Sequence, residues 1–313
     1  AGTALRGPAL RSGDFIGIAA PATHDEGQDI SAAVDRLERA GYRVKMMPTV
    51  TGNYGFFSGT DTERARDINA LFHDDDVKAI ICLNGGYGSA RILDKLDYEY
   101  IASHPKLVVG FSDVTALQIA LWEKCRLVTA NGPLMVTLGG SDAYTAGQFF
   151  QGLTTDAWRG PLALPAGRKL TTVVPGQAEG PIVGGNLTVL TSLVGTPYAL
   201  DGTGCILVLE DTGEDAYRID RMLNQLWQSG LLSRVAAIAY GDFTDCPNDP
   251  GDFTTDQVLD YYAHLAGKPA IKGLPVGHTK DKAFVPYGVK VRLDADREDA
   301  SLTFIDVCGL RPL

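Results

Sequence analysis

Short runs of apolar, β-branched residues alternate with helical patterns over residues 15–130. The runs predict strands, listed by residue number as 15–20, 42–47, 77–83, 107–111 and 126–130. The segments between them predict helices, at 30–40, 60–73, 89–95 and 114–123. The second of these segments begins with a helix signal, because Thr60 and Glu63 stand at the positions of a capping box. Strands separated by helices are typical of βαβ units, so we expect a parallel sheet covered on both faces.

The second half of the chain predicts a smaller α/β domain. Residues 135–180 are punctuated by glycine and proline and are predicted to be a crossover between domains. Beyond them the pattern predicts a glycine turn and helix at 184–193, strands at 205–209 and 235–240, helices at 215–228 and 255–265, and strands at 290–293 and 301–305. The predicted organisation is therefore an N-terminal α/β domain at residues 1–140, a crossover at 141–178 and a C-terminal α/β domain at 179–313.

Composition narrows the class of protein. The chain has 45% hydrophobic and 21% charged residues, as in an ordinary globular core. Its net charge of −10 argues against nucleic acid or an anionic membrane as a partner. No apolar run approaches the roughly 20 residues of a membrane span. The 5 cysteines are widely spaced and contain no C-x-x-C pair, so we expect neither a disulfide framework nor a metal site, and a reducing, cytoplasmic location.

The most informative segment is the strand at 107–111, which runs through Ser112 directly into a helix. A serine on a sharp strand-to-helix turn projects its hydroxyl beyond the sheet, and the helix N-terminus supplies N–H groups where an oxyanion would form. This is the geometry of a nucleophile elbow, although Val114 stands where the last glycine of G-x-S-x-G would be. In the alternative interpretation, Ser112 is an ordinary N-cap and Asp113 a first-turn acid.

A glycine-rich loop at residues 84–88 (NGGYG) follows the strand at 77–83. Its glycines allow the backbone to approach another group closely and to point N–H groups into a cavity. The phosphate-binding patterns of nucleotide-binding proteins are absent from it. Loops at the carboxyl ends of parallel strands lie where open α/β sheets bind ligands. A plain tight turn into the next helix is the alternative.

A nucleophilic serine needs a base and an acid that orients it. Among the 5 histidines, His24 follows the first strand and His278 lies in a glycine-flanked loop, and both are candidates. Glu210 ends a predicted buried strand and is the better candidate for a fixed carboxylate. Glu214 and Asp215 have the position of residues that cap the next helix.

Taken together, these segments resemble the LD-carboxypeptidase family of serine peptidases, which includes muramoyltetrapeptide carboxypeptidases and microcin C immunity peptidases. The matching segments run along almost the whole chain, in the family's order: 12–14 (SGD), 20–21 (AP), 57–64 (FSGTDTER), 84–88 (NGGYG), 110–113 (GFSD), 184–187 (GGNL), 195–197 (GTP), 209–211 (LED), 217–221 (YRIDR) and 275–278 (PVGH).

The resemblance implies roles for particular residues. Ser112 would be the nucleophile, His278 the base and Glu210 the orienting acid. The remaining site residues would come from the glycine loop and the elbow: backbone amides of Gly86 and Asp113 as oxyanion donors, and Gly85 and Tyr87 as substrate contacts. The resemblance also implies an N-terminal domain like that of class I glutamine amidotransferases, a homodimer, and catalysis without metal or cofactor. The serine and its two partners come from different predicted domains, so we expect the cleft at their interface.

The implied activity is hydrolysis of the L,D amide bond that releases the terminal D-alanine of a muropeptide tetrapeptide. A microcin-type immunity peptidase, which cleaves an acyl-adenylate-like amide, is the alternative within the enzyme class. Trp158 or Trp227 would then stack on the adenine ring of the substrate. A catalytically silent peptide-binding module is the alternative outside it. Asn84 and Ala22 depart from the residues common in the family, and both border the expected cleft.

Overall fold

In the computed structural model, the apolar runs become the strands of two sheets, each in its own unit. The structure describes residues 4–25, 27–154, 158–296 and 299–305. The first unit comprises the described residues up to Trp158 together with Lys282–Gly288, and the second comprises those of Arg159–Asp281 and from Val289 onward. The protein is therefore a mixed α/β protein with two sheets. The predicted limits of independently folding domains, at 1–140, 141–178 and 179–313, stay a prediction.

The first unit is built on a six-stranded sheet in which five strands are parallel. The parallel strands, in sheet order β5-β4-β3-β1-β2, are β1 (Phe15–Ala19), β2 (Arg43–Met46), β3 (Val77–Cys82), β4 (Leu107–Gly110) and β5 (Thr129–Asn131). β3 and β4 are apolar and almost wholly buried, as expected for strands covered on both faces. The sixth strand, Val285–Tyr287, comes from near the end of the chain and pairs antiparallel with β5.

Six α-helices lie in the described part of the first unit; the first four lie between its parallel strands along the chain, and the last two follow β5. They are α1 (Ser31–Arg39), α2 (Asp61–His73), α3 (Tyr98–Ser103), α4 (Thr115–Cys125), α5 (Met135–Leu138) and α6 (Ala143–Thr154). The capping box predicted at α2 is confirmed: the Thr60 side chain accepts from the Glu63 backbone, and the Glu63 side chain accepts from the Thr60 backbone. The helix predicted at residues 89–95 is present with those bounds, as the 3-10 helix Ser89–Lys95.

The second unit contains an eight-stranded sheet with a parallel centre and antiparallel edges. Its strands are β6 (Gly160–Pro161), β7 (Thr171–Val174), β8 (Gly176–Asn186), β9 (Ile206–Thr212), β10 (Ala237–Thr244), β11 (Ala270–Lys272), β13 (Lys290–Ala295) and β14 (Ala300–Phe304), where β12 is the sixth strand of the first unit. β8, β9, β10 and β11 are parallel neighbours. The helices are α7 (Leu187–Ser192), α8 (Ala216–Gln228), α9 (Leu231–Arg234) and α10 (Thr255–Ala266).

The segment predicted as an irregular crossover is the part of the chain where the sequence prediction is least accurate. Within the described part of residues 135–180 the structure has two helices and three strands, the last of which is the beginning of β8. The glycine turn predicted at residue 184 is also wrong, because β8 continues to Asn186 before α7 begins. The glycines of β8 serve close packing: a Cβ at Gly180 would lie 2.0 Å from the Gly204 oxygen.

Two observations bear on the other expectations from composition. Among the described helices none is long and apolar enough to cross a membrane. The cysteines of the described residues are free thiols, at positions 82, 125, 205 and 246, whereas Cys308 lies outside those residues.

Candidate active site

Ser112 lies on a strained turn between β4 and α4. Residues Ser112–Val114 form a single 3-10 turn, and Ser112 has a φ of 65°, in the left-handed region that side-chain-bearing residues rarely adopt. The N-cap of α4 is Val114, so the alternative interpretation of Ser112 as that helix's N-cap is wrong. A serine held in this conformation after a buried strand is what the elbow hypothesis predicts.

The glycine loop passes directly beside this serine. A Cβ added at Gly85 would lie 3.1 Å from both Cβ and Oγ of Ser112 and 3.6 Å from the Asp113 nitrogen. At Gly86, whose φ is 87°, a Cβ would lie 2.3 Å from the Thr23 hydroxyl. The loop therefore reaches its place beside the elbow because two successive positions carry no side chain.

Asp113 ties the loop to the elbow. Its carboxylate accepts from the Ser89 backbone N–H (2.9 Å), and the Ser89 hydroxyl donates to the Asp113 carbonyl (2.6 Å). Burial raises the pKa of the Asp113 carboxyl, and the N–H groups of Ser89 and Gly88 act in the opposite direction. These bonds fix the distance between the glycine loop and the backbone that follows Ser112.

A fully buried arginine holds the other side of the loop. The Arg64 guanidinium donates to the carbonyls of Pro21 (2.6 Å), Gly88 (2.8 Å) and Gly59 (3.0 Å), and it pairs with Asp61. Burial lowers the pKa of Arg64, while the Asp61 carboxylate raises it. Sequence reasoning missed this residue; the signal available was an arginine on the face of α2 that also carries its buried apolar residues.

The second unit brings Glu210 and His278 together. Glu210 is a buried residue of β9, and its Oε2 lies 2.9 Å from Nδ1 of His278. An ionised carboxylate only accepts hydrogen bonds, so we assign the shared proton to Nδ1, which leaves Nε2 as a proton acceptor. The structure thus places these two side chains within hydrogen-bond distance, and their roles as orienting acid and base stay a prediction.

Neighbouring groups fix the carboxylate and the histidine loop. The Asn186 amide donates to Glu210 Oε1 and to Asp211 Oδ1, both at 3.2 Å. The loop approaches Glu210 closely because Gly277 has a φ of 145° and no side chain; a Cβ there would lie 3.3 Å from Oε2. Asp242 accepts from the Thr279 hydroxyl at 2.8 Å, one residue beyond the histidine. Sequence reasoning did not assign roles to Asn186 or Asp242.

The other candidates have different surroundings. The backbone carbonyl of His24, the competing base, accepts from the Asn84 amide at 3.0 Å in the first unit. Glu214 forms an ion pair with Arg218 at 3.8 Å, and Asp215 occupies the N-cap position of α8 without a capping hydrogen bond from its side chain. Both acids therefore lie at the start of the helix, where the capping interpretation places them.

The two tryptophans considered for base binding are not exposed aromatic platforms. Trp158 is buried, with its ring centroid 6.2 Å from that of Phe284, and Trp227 is half-buried on α8.

Cavity volume does not locate the pair formed by Glu210 and His278. A cavity of about 630 Å³ in the second unit is lined by α8 and the segment before α10, and neither Glu210 nor His278 contributes to its lining. In the described part of the chain, no cluster of three or more His, Cys, Asp or Glu side chains could hold a metal ion.

Comparison with known proteins gives a consistent result along the chain. Residues 16–132 match the LD-carboxypeptidase N-terminal domain, and residues 179–293 match the LD-carboxypeptidase C-terminal domain. The chain is 38% identical to the probable murein peptide carboxypeptidase of Bacillus subtilis, over 93% of this chain and 92% of that one. The solved muramoyltetrapeptide carboxypeptidase of Oxalobacter formigenes has a TM-score of 0.82 and 31% identity, over 96% of this chain and 100% of that one.

A third relative is the microcin C7 self-immunity protein MccF of Escherichia coli, 30% identical over 94% of each chain. The structure of MccF in complex with glutamyl sulfamoyl guanosine matches with a TM-score of 0.88 and 25% identity, over 97% of this chain and 99% of that one. Both halves of the chain thus match the same family, and full-length relatives exceed 30% identity. The chain belongs to the LD-carboxypeptidase family.

Proposed function

We propose that this protein is a serine LD-carboxypeptidase that releases the terminal D-alanine from murein tetrapeptides, with Ser112 as nucleophile, His278 as base and Glu210 as orienting acid. The observation that carries the proposal is the hydrogen bond of 2.9 Å between His278 Nδ1 and the buried Glu210 carboxylate, in a member of this family. The strained turn at Ser112 supports the role of nucleophile.

The proposed reaction is acyl transfer through an ester intermediate. Nε2 of His278 takes the hydroxyl proton of Ser112 as Oγ bonds to the carbonyl carbon of the L,D amide. Glu210 keeps the proton on Nδ1 and stabilises the imidazolium. The imidazolium then protonates the departing amine of D-alanine as the C–N bond breaks. Water, deprotonated by His278, hydrolyses the ester and restores the serine.

The oxyanion is proposed to bind the backbone N–H groups of Gly86 and Asp113. Each such donor contributes on the order of 3–4 kcal/mol to the transition state. The bonds from the Ser89 N–H to the Asp113 carboxylate and from Arg64 to the Gly88 carbonyl support this proposal, because they fix the loop relative to the elbow. Gly85 and Tyr87 are proposed to contact the substrate from the same loop.

The proposal is tested by mass spectrometry of a murein tetrapeptide digest. We expect the wild-type protein to remove one alanine and Ser112→Ala to lose at least about 10³-fold in rate while remaining folded. Ser103→Ala, an exposed serine at the end of α3, is the matched control and should keep full activity. Unchanged alanine release by Ser112→Ala would refute the assignment.

A microcin-type immunity peptidase is the second candidate, favoured by the likeness to MccF with a sulfamoyl nucleoside bound. Parallel turnover of a murein tetrapeptide and of an aminoacyl sulfamoyl nucleoside separates the two, and we expect the tetrapeptide to be the better substrate. Binding of the peptide without turnover of either substrate would instead favour a silent peptide-binding module.

The resemblance also supports three proposals about the whole protein: a first unit like class I glutamine amidotransferases, assembly as a homodimer and a cytoplasmic location. Light scattering of the purified protein tests the dimer, which predicts twice the chain mass of 33.4 kDa.

A further inference from the structure

The proposed base lies in a loop that regular secondary structure does not hold. The histidine loop, residues 273–279, follows β11, and the structure has no helix or strand in this described segment. A backbone hydrogen bond of 2.8 Å from the Asp242 N–H to the Val276 carbonyl fastens the loop to β10. This bond ends two residues before His278, so the position of the imidazole depends on further contacts.

β10 carries an extra residue where it faces this loop. The register between β9 and β10 shifts after Tyr240, so that Gly241 and Asp242 together stand opposite the single residue Glu210. A β-bulge of this kind bends its strand and re-aims a side chain, and bulges are frequent next to active sites. A Cβ at Gly241 would lie 2.3 Å from the Val276 oxygen and 3.2 Å from Cβ of Glu210. The bulge therefore lies between the proposed acid and the histidine loop.

The carboxylate of the bulged residue Asp242 connects the histidine loop to an arginine from another part of the second unit. Its Oδ2 accepts from the Thr279 hydroxyl at 2.8 Å, one residue beyond His278. Arg168 donates to the same oxygen from Nη1 and Nη2, both at 3.1 Å, and Nη1 also donates to the Gly273 carbonyl at 3.4 Å. A planar guanidinium bound through two nitrogens fixes orientation as well as distance. The pair thus holds both the first and the last residue of the loop.

Close packing makes the imidazole sensitive to the position of Asp242. Gly277 directly precedes His278, and a Cβ there would lie 3.1 Å from Cβ of Asp242 and 3.3 Å from Oε2 of Glu210. The same point of the loop is therefore packed against both carboxylate residues. Because hydrogen bonds weaken steeply as distance and angle change, a small displacement of the loop weakens the bond of 2.9 Å between the imidazole and Glu210.

We propose that Asp242, held by Arg168, is a positioning residue that keeps the histidine loop where the His278 imidazole bonds to Glu210. The inference rests on the proposed function, because it takes His278 as the base. The Arg168 and Asp242 side chains are 22% and 18% exposed, and a partly exposed ion pair contributes little to stability. Loss of the pair should therefore change the geometry of the imidazole more than it changes Tm.

The first measurement does not depend on catalysis. A proton shared by an imidazole nitrogen and a carboxylate gives a proton NMR signal far downfield of the amide protons, and its loss in His278→Ala assigns it. We expect Arg168→Met and Asp242→Ala to weaken or remove this signal while Tm changes by no more than about 2 °C, and Arg168→Lys to keep it. The control is Arg292→Met, because Arg292 also donates twice to one carboxylate oxygen, of Glu179 at 2.8 and 2.6 Å, at an exposed site on β13.

The second measurement is turnover of a murein tetrapeptide. We expect Arg168→Met and Asp242→Ala each to lower kcat about tenfold and to leave KM within about twofold, since a displaced base affects the transition state and not substrate binding. The double variant should lose no more than either single variant, because the two residues act as a unit. Arg168→Lys should recover most of kcat, and Arg292→Met should keep full activity.

Each other outcome overturns the inference. If the wild type lacks the downfield signal, or if Asp242→Ala keeps both the signal and kcat, the pair does not position the imidazole. Additive losses in the double variant, or a fall in Tm that accounts for the loss of kcat, show independent or purely structural roles. A rise in KM at constant kcat assigns the pair to substrate binding. A wild-type protein that releases no alanine refutes the proposed reaction, and loss of the signal in Asp242→Ala then still shows that Asp242 positions the imidazole.

Discussion

Replacing Arg64 by methionine tests how the loops around the elbow are held. Arg64 is fully buried, and its guanidinium donates three hydrogen bonds to backbone carbonyls in addition to its pairing with Asp61. Methionine fills much of the same volume but donates no hydrogen bond. The carbonyls of Pro21 and Gly59 then lose the Arg64 donor, whereas the Gly88 carbonyl and Asp61 keep bonds from Arg91. The structure therefore predicts both a loss of stability and a displaced glycine loop.

The expected magnitude follows from the kind of group removed. Each hydrogen bond to a charged donor contributes about 1.5–3 kcal/mol, but burial of the guanidinium, which lowers its pKa, offsets part of the sum. Each buried acceptor left without a donor costs about 1–3 kcal/mol, and we expect Arg64→Met to lower the free energy of unfolding by about 3 kcal/mol, because Asp61 is partly exposed and keeps Arg91 as a partner. That corresponds to a fall of roughly 10 °C in Tm.

The assay compares two matched arginines of α2. Arg66 lies two residues away, its side chain is 57% exposed, and Arg66→Met should change Tm by no more than about 2 °C. Thermal unfolding followed by circular dichroism gives the stability, and kcat measured well below Tm gives the effect on the loop. We expect Arg64→Lys to recover part of both, because an ammonium reaches some of the carbonyls. Equal Tm and equal kcat for Arg64→Met and Arg66→Met would refute the reasoning.

Three further predictions concern the site and its scaffold. Gly85→Ala should lower kcat about 10²-fold without loss of fold, since the added methyl would lie 3.1 Å from the Ser112 hydroxyl oxygen; Gly147→Ala, with open space at its Cβ position, is the control. Glu210→Gln should lower kcat by about 10³–10⁴-fold, because the amide no longer fixes the imidazole tautomer, and steady-state kinetics would contradict this if kcat fell less than tenfold. Burial lowers the pKa of Lys106 from 10.5 to about 8. Between pH 8 and 10.5 the unfolded chain therefore binds more protons than the folded one, and the contribution of this group to stability rises with pH. Denaturant titrations over this range should show that rise in the wild type and lose it in Lys106→Met.

The sequence predicted most of the first unit because local pattern and final packing agree there. The apolar runs of β1, β3 and β4 are buried on both faces, and the Thr60–Glu63 capping box marks the start of α2 by its own side-chain bonds. The sharp turn at Ser112 could likewise be predicted from the sequence, because a buried strand leads straight into a helix there; the structure gives Ser112 a φ of 65°.

Where local pattern and tertiary packing disagree, the prediction was wrong. β8 contains glycines that normally mark turns, yet here they permit close approach between strands: a Cβ at Gly184 would lie 2.0 Å from the Val208 oxygen. The antiparallel return of residues 285–287 to β5 depends on a partner more than 150 residues earlier in the chain, which no local window contains. The supporting roles of Arg64 and Asn186 are also non-local, since each joins segments that only the folded chain brings together.

The central claim is that Ser112 is made nucleophilic by the imidazole that Glu210 orients, and a fluorophosphonate probe measures this most directly. Peptide mass spectrometry of the labelled protein identifies the modified residue, and the rate of labelling reports its reactivity. The account predicts labelling at Ser112 in the wild-type protein and labelling slower by at least about 10²-fold in His278→Ala. No modification of Ser112, or equal labelling rates in the two proteins, would contradict it.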